Sequence, residues 1–180
     1  MLPWTWGTTA AEEAAEYACD RFVEGPSVAV YRAVDSAGSA DAVYRWYCQL
    51  KVAPYSYDWI DNFGKRSPRT LTPGADELVL GQDFMTIFDL AAFEPGRDLT
   101  LKMKGLGARV FGRLAISYTV RPTDRGSRLV AKIALPVDPG PIGRTKQYLL
   151  AWGDLVMMRK QLLLFAELAS SSARSDASRS

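Results

Sequence analysis

Hydrophobic and polar side chains alternate in the second half of the chain, which is the pattern of β-strands that bury one face. Between Leu99 and Met103 apolar residues occupy every second position, with threonine and lysine between them. Turn sequences rich in Gly, Pro and Asp separate this segment from its neighbours, as in an antiparallel meander. The pattern predicts strands over residues 27–35, 66–71, 83–93, 98–104, 109–120 and 128–137.

A helix is predicted before the first strand. Thr9 and Glu12 have the spacing of a capping box and open an alanine-rich segment that should remain helical to about Val23. Alternation in the strand over residues 83–93 leaves Met85 and Ile87 on its exposed side. We expect the N-terminal helix to cover these two side chains.

Two short helices are predicted after the first strand. Ser39 caps a helix that extends to about Leu50, with apolar residues at intervals of three and four. Residues 57–63 suit a second short helix, which ends at Gly64.

The last predicted element is one long helix from Gly143 to about Ala169, roughly 40 Å at the rise of an α-helix. Polar residues recur every seven positions in it, at Gln147, Asp154 and Gln161. We expect this stripe to face solvent and the wider apolar arc to be buried. The arc consists of Tyr148, Trp152, Leu155, Val156, Leu162, Leu163 and Phe165.

The length of 180 residues and the hydrophobic fraction of 48% are typical of one folded domain. We expect an N-terminal helical extension over residues 1–26, the domain itself over 27–169, and a disordered tail over 170–180, which is rich in Ser, Ala and Arg.

The chain contains no histidine, which excludes every mechanism that needs an imidazole base or ligand. The net charge of +2 is too small to indicate nucleic-acid binding. Neither a cofactor nor a metal site is predicted. No apolar run reaches the length of a membrane span, and the start of the chain lacks the features of a secretory signal. Cys19 and Cys48 have no C-x-x-C or framework spacing, so reduced thiols and a cytoplasmic location are expected.

The order of these elements, with a strand and two short helices before the antiparallel strands and the long helix, resembles the START-like SRPBCC superfamily. This group includes polyketide cyclase/dehydrase-type proteins. The resemblance covers residues 27–169 and rests also on the segment Ala-Pro-Tyr-Ser-Tyr-Asp-Trp-Ile-Asp-Asn at 53–62 and on turns at 81–83 and 94–100. It implies an α+β helix-grip fold, in which a curved antiparallel sheet wraps around the C-terminal helix.

A twisted sheet around a helix rarely packs completely, so a hydrophobic cavity is expected between them. The resemblance implies that a hydrophobic or polyketide-like small molecule binds there. The alternative is a cofactor-independent cyclase, dehydratase or isomerase that uses the same cavity. Candidate ligand-binding residues are Tyr55, Trp59, Asn62, Phe84, Phe88, Leu101, Ile116, Tyr118, Ala131, Tyr148, Trp152 and Val156.

Residues 54–66 concentrate the groups that could catalyse a reaction. Asp58 and Asp61 would share a helix face, and an apolar wall beside either could raise its pKa to suit proton transfer. Tyr57, or alternatively Tyr55, could then stabilise an enolate oxygen together with Arg66. Helix capping and turn hydrogen bonds are the alternative role for all of these side chains.

Basic residues outnumber acidic ones between Arg97 and Lys132, and the alternation places most of them on the outer sheet face. A solvated face explains this excess, and so does a site for an acidic partner, such as a carrier protein, or for an anionic membrane surface.

Overall fold

One sheet and one long helix dominate the computed structural model, which describes residues 2–56 and 66–177, with side chains as far as residue 171. The short helix predicted over residues 57–63 lies outside the described residues. The strands are β1 (Thr5–Trp6), β2 (Ser27–Ser36), β3 (Asp83–Phe84), β4 (Phe88–Glu94), β5 (Asp98–Met103), β6 (Ala115–Thr123) and β7 (Gly126–Pro136).

The strands form one sheet in the order β1-β2-β7-β6-β5-β4-β3. All neighbouring pairs are antiparallel except β1 with β2. The helices are α1 (Ala10–Ala14), α2 (Ala40–Cys48), α3 (Gly105–Phe111) and α4 (Gly140–Ala177), with 3₁₀ helices at Ala18–Phe22 and Gln49–Lys51. The predicted α+β helix-grip architecture is confirmed, since the sheet packs around α4. None of the helices in residues 2–56 and 66–177 has both the length and the hydropathy needed to cross a bilayer.

The alternation along β6 and β7 predicts the two faces of the sheet correctly. Ile116, Tyr118 and Ile133 lie in the main core beneath the sheet, while Ala115 and Ala134 point to the opposite face. That outer face is also buried, because the N-terminal segment covers it.

The N-terminal segment begins as predicted and then changes course. Thr9 and Glu12 form the capping box, with the Thr9 N–H donating to Glu12 Oε2 at 2.7 Å. The helix ends at Ala14 instead of near Val23, and the 3₁₀ helix after it packs on β6, where the Cys19 N–H donates to Ser117 Oγ at 2.9 Å. The 3₁₀ helix at Ala18–Phe22 therefore covers the sheet centre.

The prediction that the N-terminal helix covers Met85 and Ile87 is wrong. Met85 packs against the main core. Ile87 and Met103 lie against Gly107 of α3, where an added Cβ would be 3.3 and 3.1 Å from their side chains. Helix α3 also replaces the first part of the strand predicted over 109–120, which begins only at Ala115. It begins at a glycine with positive φ, Gly105.

Two other predicted strands differ from the structure. Residues 66–71 form no strand. The strand over 83–93 is divided into β3 and β4 by a tight turn in which Met85 and Thr86 have φ values of 47° and 61°. Positive φ in two successive residues suits the right-handed twist of a hairpin, but neither alternation nor residue type predicts it.

Helix α4 is longer than predicted and is rotated about its axis. It begins at Gly140 and continues to Ala177, through residues predicted as a disordered tail. Gln147 and Gln161, expected in solvent, are buried, whereas Trp152 and Val156, expected in the core, are exposed. The reversal occurs because each inward polar side chain has a partner inside the protein, as described below.

Aromatic side chains close one end of the space between sheet and helix. The Tyr47 ring lies 5.3 Å from the ring of Tyr118 and 5.7 Å from that of Phe165, and Tyr55 packs on Phe165 at 5.4 Å. The Tyr47 hydroxyl donates to the Thr119 carbonyl at 3.1 Å. Solid packing at this end confines any hollow to the other end of the helix.

Alanine substitutions at two glycines, one packed against α4 and one within it, test how closely this helix is packed. A Cβ at Gly38 would lie 2.6 to 2.8 Å from atoms of Ala169, whereas a Cβ at Gly153 meets no atom within 4 Å. We expect Gly38→Ala to lower the free energy of unfolding by about 1–3 kcal/mol through overpacking. Gly153→Ala should raise it by about 1 kcal/mol through helix propensity. Chemical denaturation measures both, and changes of the same sign in the two variants would contradict this packing.

Candidate functional site

A cavity of about 460 Å³ lies between the sheet and the first half of α4. Its walls are largely apolar, with Val30, Ile116 and Ile133 from the strands and Leu150 and Met158 from α4. The volume falls in the range of about 300–1,000 Å³ typical of sites for small organic molecules. Exposed side chains at the rim mark where the cavity reaches the surface, and they are Ile87, Phe111 and Leu149.

Arg32 and Asp154 form an ion pair beside this cavity. Arg32 lies on the inner face of β2, and its side chain has 0% exposure. Its Nη2 atom is 3.0 Å from Asp154 Oδ2, and Asp154 lines the cavity. A cation buried this deeply requires a counter-charge and hydrogen-bond acceptors.

Three backbone carbonyls supply the acceptors. Arg32 Nη1 donates to the carbonyls of Tyr31 and Trp4 at 2.8 and 3.1 Å, and Nη2 donates to that of Ala151 at 3.0 Å. The guanidinium therefore joins β2, the N-terminal segment and α4. A carbonyl oxygen has two lone pairs, so the Ala151 carbonyl can accept the bond from Arg32 in addition to a hydrogen bond within the helix.

Burial raises the pKa of Asp154 to about 6, and the nearby Arg32 guanidinium opposes part of that effect. Both protonation states of this carboxyl are thus populated near neutral pH. A carboxyl with such a pKa at the wall of an apolar cavity has the properties of a general acid or base.

A second polar group in the cavity is fixed by hydrogen bonds. Tyr118 donates its hydroxyl proton to Gln161 Oε1 at 2.8 Å, and Gln161 Nε2 donates to the carbonyl of Pro54. Burial raises the pKa of Tyr118, so the phenol stays neutral. Because its one O–H is already engaged, Tyr118 presents lone pairs to a ligand while this hydrogen bond is kept.

The predicted ligand-binding residues fall into three groups in the structure. Phe88, Ile116 and Tyr118 line the cavity. Four others belong to the packed core outside its walls, namely Tyr55, Phe84, Leu101 and Ala131. The last three, Tyr148, Trp152 and Val156, are exposed on the outer side of α4, away from the cavity.

The predicted catalytic segment is described only at its ends. Arg66 is exposed. The remaining candidates lie outside the described residues, and these are Tyr57, Asp58, Trp59, Asp61 and Asn62. The prediction that Asp58 or Asp61 acts as an acid or base therefore stays a prediction.

Sequence reasoning missed Arg32 and Asp154, although a signal was present. Arg32 interrupts a strand of apolar residues on the side that Val30 and Val34 share. An inward-facing cation in such a strand requires an acid opposite, and Asp154 is the one acid between residues 139 and 166.

Ion pairs neutralise much of the predicted basic sheet face. Lys132 Nζ lies 2.8 Å from Asp20, and Arg128 Nε lies 2.7 Å from Glu12. Both acids come from the N-terminal segment. Arg121 and Lys104 are similarly paired, with Asp98 and with Asp83 and Asp89. In the part of the chain that the structure describes, no group of three or more Cys, Asp or Glu side chains could hold a metal ion.

Comparison with solved structures identifies the fold. The di-domain ARO/CYC StfQ from the steffimycin biosynthetic pathway superposes with a TM-score of 0.53 at 15% identity, over 82% of this chain and 52% of that one. Protein NE0264 from Nitrosomonas europaea gives 0.51 at 11% identity, over 81% and 96%. The polyketide-cyclase-like protein Cgl2372 from Corynebacterium glutamicum gives 0.43 at 18% identity, over 79% and 94%.

The first two of these similarities confirm the helix-grip fold. No protein-family model matches the chain, and a sequence search of curated proteins gives no match.

The elevated pKa of Asp154 gives a test of the buried pair. A ¹³C NMR titration of the aspartate carboxyls should show one group with a midpoint near 6, absent in Asp154→Asn. Arg32→Met should move the midpoint higher, because it removes the cation that favours the carboxylate. A midpoint below about 4, the ordinary value for aspartate, would contradict the buried site.

The same pKa sets a pH dependence of folding. Since the folded-state pKa is above the ordinary value, the protonated carboxyl favours the folded protein. This contribution to stability is complete below about pH 4 and is lost as the pH rises through about 6.

Proposed function

We propose that this protein binds a hydrophobic or polyketide-like small molecule in the cavity between the sheet and α4. The observation that carries the proposal is an apolar hollow of about 460 Å³ whose lining includes the polar side chains of Asp154, Tyr118 and Gln161. Such a site binds a guest mainly by excluding water from apolar surface. The fold shared with the ARO/CYC protein StfQ supports the proposal.

The polar groups of the cavity indicate where the oxygen atoms of a bound molecule would lie. Asp154 in its protonated form donates a hydrogen bond to a carbonyl, and in its ionised form accepts one from a phenol or enol. Tyr118 of β6 and Gln161 of α4 present further polar atoms, and Ser56 and Thr86 also belong to the lining. A largely apolar molecule with a carbonyl or hydroxyl group near Asp154 fits this distribution.

A cavity-filling substitution tests binding. The neutral fluorophore N-phenyl-1-naphthylamine should bind the protein with enhanced, blue-shifted emission. Ile116→Trp should weaken that binding by about tenfold or more, because the larger side chain occupies the space of the guest. Leu163→Trp adds similar volume on the exposed side of α4 and is the matched control.

Thermal unfolding establishes that both variants remain folded, and Ile133→Phe provides a second, milder filling of the same cavity. Equal affinity of the wild type, Ile116→Trp and Ile133→Phe would contradict the proposed site. If the filled variants bind the fluorophore more weakly, native mass spectrometry of protein purified from its source should identify a natural guest by its mass.

The second candidate is a cofactor-independent isomerase, dehydratase or cyclase, and the pKa of Asp154 favours it. The Asp154 carboxylate would remove a proton from the carbon beside a carbonyl, which breaks the C–H bond and forms an enolate. The carboxylic acid so formed would return that proton to another carbon, which completes an isomerisation without any oxidant or cofactor. Participation of Asp58 or Asp61 in this chemistry stays a prediction.

Proton exchange distinguishes an enzyme from a binding protein. The wild type should accelerate exchange of the α-protons of 2-tetralone in D₂O, with a rate that falls as the pH drops through about 6. Asp154→Asn should lower the rate by about a hundredfold while N-phenyl-1-naphthylamine still binds. An exchange rate equal to that of buffer, or one that Asp154→Asn leaves unchanged, would eliminate this candidate.

We also propose a cytoplasmic location. Cys19 and Cys48 are both free and buried, which suits a reducing compartment.

A further inference from the structure

The outer side of α4 exposes a stripe of apolar side chains, with exposed cations at some of the positions between them. Ile142, Leu149, Val156 and Leu163 are spaced seven residues apart and are 85%, 65%, 51% and 40% exposed. Trp152 is exposed between them. Surface helices normally place such residues against the core, and a long exposed stripe of this kind marks a surface that binds something.

Helix α3 extends this stripe sideways. Leu106, Val110 and Phe111 of α3 are exposed, and a shallow groove of about 620 Å³ separates Val110 and Phe111 from Ile142 and Leu149 of α4. We call the stripe together with the exposed side of α3 the α3–α4 face. Its apolar area therefore spans two helices.

The charges around the α3–α4 face are predominantly positive. Between residues 139 and 166 the basic side chains are Arg144, Lys146, Arg159 and Lys160, all exposed, and the single acid, Asp154, is paired with Arg32 towards the interior. One exposed acid, Glu167, follows Leu163 by one turn and lies 4.0 Å from Arg69. Two of the cations have neighbours at the edge of the face. Lys146 lies 3.6 Å from the half-buried Asp138, and Arg159 lies over the Trp6 ring at 5.4 Å.

This charge distribution selects among the partners that could cover the face. A second copy of the chain would place cations against cations, which is unfavourable. An anionic lipid surface offers negative headgroups to the flanking cations and acyl chains to the stripe. The exposed Trp152 and Tyr148 have the amphipathic rings that favour the boundary between headgroups and hydrocarbon.

We propose that the α3–α4 face docks on the surface of an anionic lipid membrane, with α4 lying parallel to the bilayer and its apolar stripe inserted among the lipids. The stripe from Ile142 to Leu163 covers about 30 Å at the rise of an α-helix. This length gives several apolar anchors along one line, which suits a helix lying in the interface better than a single inserted loop.

Docking would also place the entrance of the cavity against lipid. Leu149 and Phe111 belong both to the α3–α4 face and to the cavity wall. An apolar guest could then pass between bilayer and cavity with little exposure to water. This consequence rests on the proposed function, whereas the docking itself does not depend on any guest.

Co-sedimentation with vesicles tests the docking. The protein should bind vesicles of phosphatidylcholine mixed with phosphatidylglycerol more tightly than vesicles of phosphatidylcholine alone, and added salt should weaken the binding. Tryptophan emission should shift to the blue as Trp152 enters the interface. The double variant Ile142→Glu/Val156→Glu should reduce the binding by about tenfold or more, because it adds negative charge and removes two anchors.

Leu80→Glu is the matched control, since Leu80 is an exposed leucine in another part of the fold and should retain full vesicle binding. Binding of N-phenyl-1-naphthylamine measured on the same variants separates the two proposals, because the substituted side chains lie outside the cavity wall. If the double variant loses vesicle binding but still binds the fluorophore, the result supports docking, whether or not a natural guest is identified.

Three results would overturn the proposal. They are no sedimentation with anionic vesicles, equal sedimentation of the double variant and the wild type, and a dimer in light scattering that Val156→Glu converts to a monomer without vesicle binding by either form.

Discussion

The buried guanidinium of Arg32 is the interaction on which the rest of this structure depends. It is the largest side chain with essentially no exposure, and it takes acceptors from the N-terminal segment, from β2 and from α4. The helix is thereby restricted to the orientation that brings Asp154 to Arg32.

That orientation determines both faces of α4. Gln147 and Gln161 lie seven residues on either side of Asp154 and so face inward with it, where they donate to the carbonyls of Pro136 and Pro54. Small Ala151 and Gly153 beside them leave space under the sheet, which contributes to the cavity. The apolar residues on the opposite side are consequently exposed and form the α3–α4 face. Cavity and face therefore have one structural cause.

The fold could be predicted from the sequence, whereas the site largely could not. Alternation in residues such as Ile116 and Tyr118 predicts strand faces reliably, because each strand meets one core. The rotation of α4 depended instead on partners distant in sequence. Periodicity assigns Gln147, Asp154 and Gln161 to solvent unless their individual partners are known, and one of those partners, Arg32, lies more than a hundred residues away. Helix α3 was not predicted for a different reason, because its glycine-rich sequence is typical of a turn.

A crystal structure determined under xenon pressure tests the central claim most directly, because xenon enters apolar cavities that are large enough to hold it. The account predicts xenon between Ile116 and Leu150, with Asp154 beside Arg32 and Trp152 facing solvent. A structure with side chains filling that space, no xenon bound there, and Trp152 turned under the sheet would contradict it.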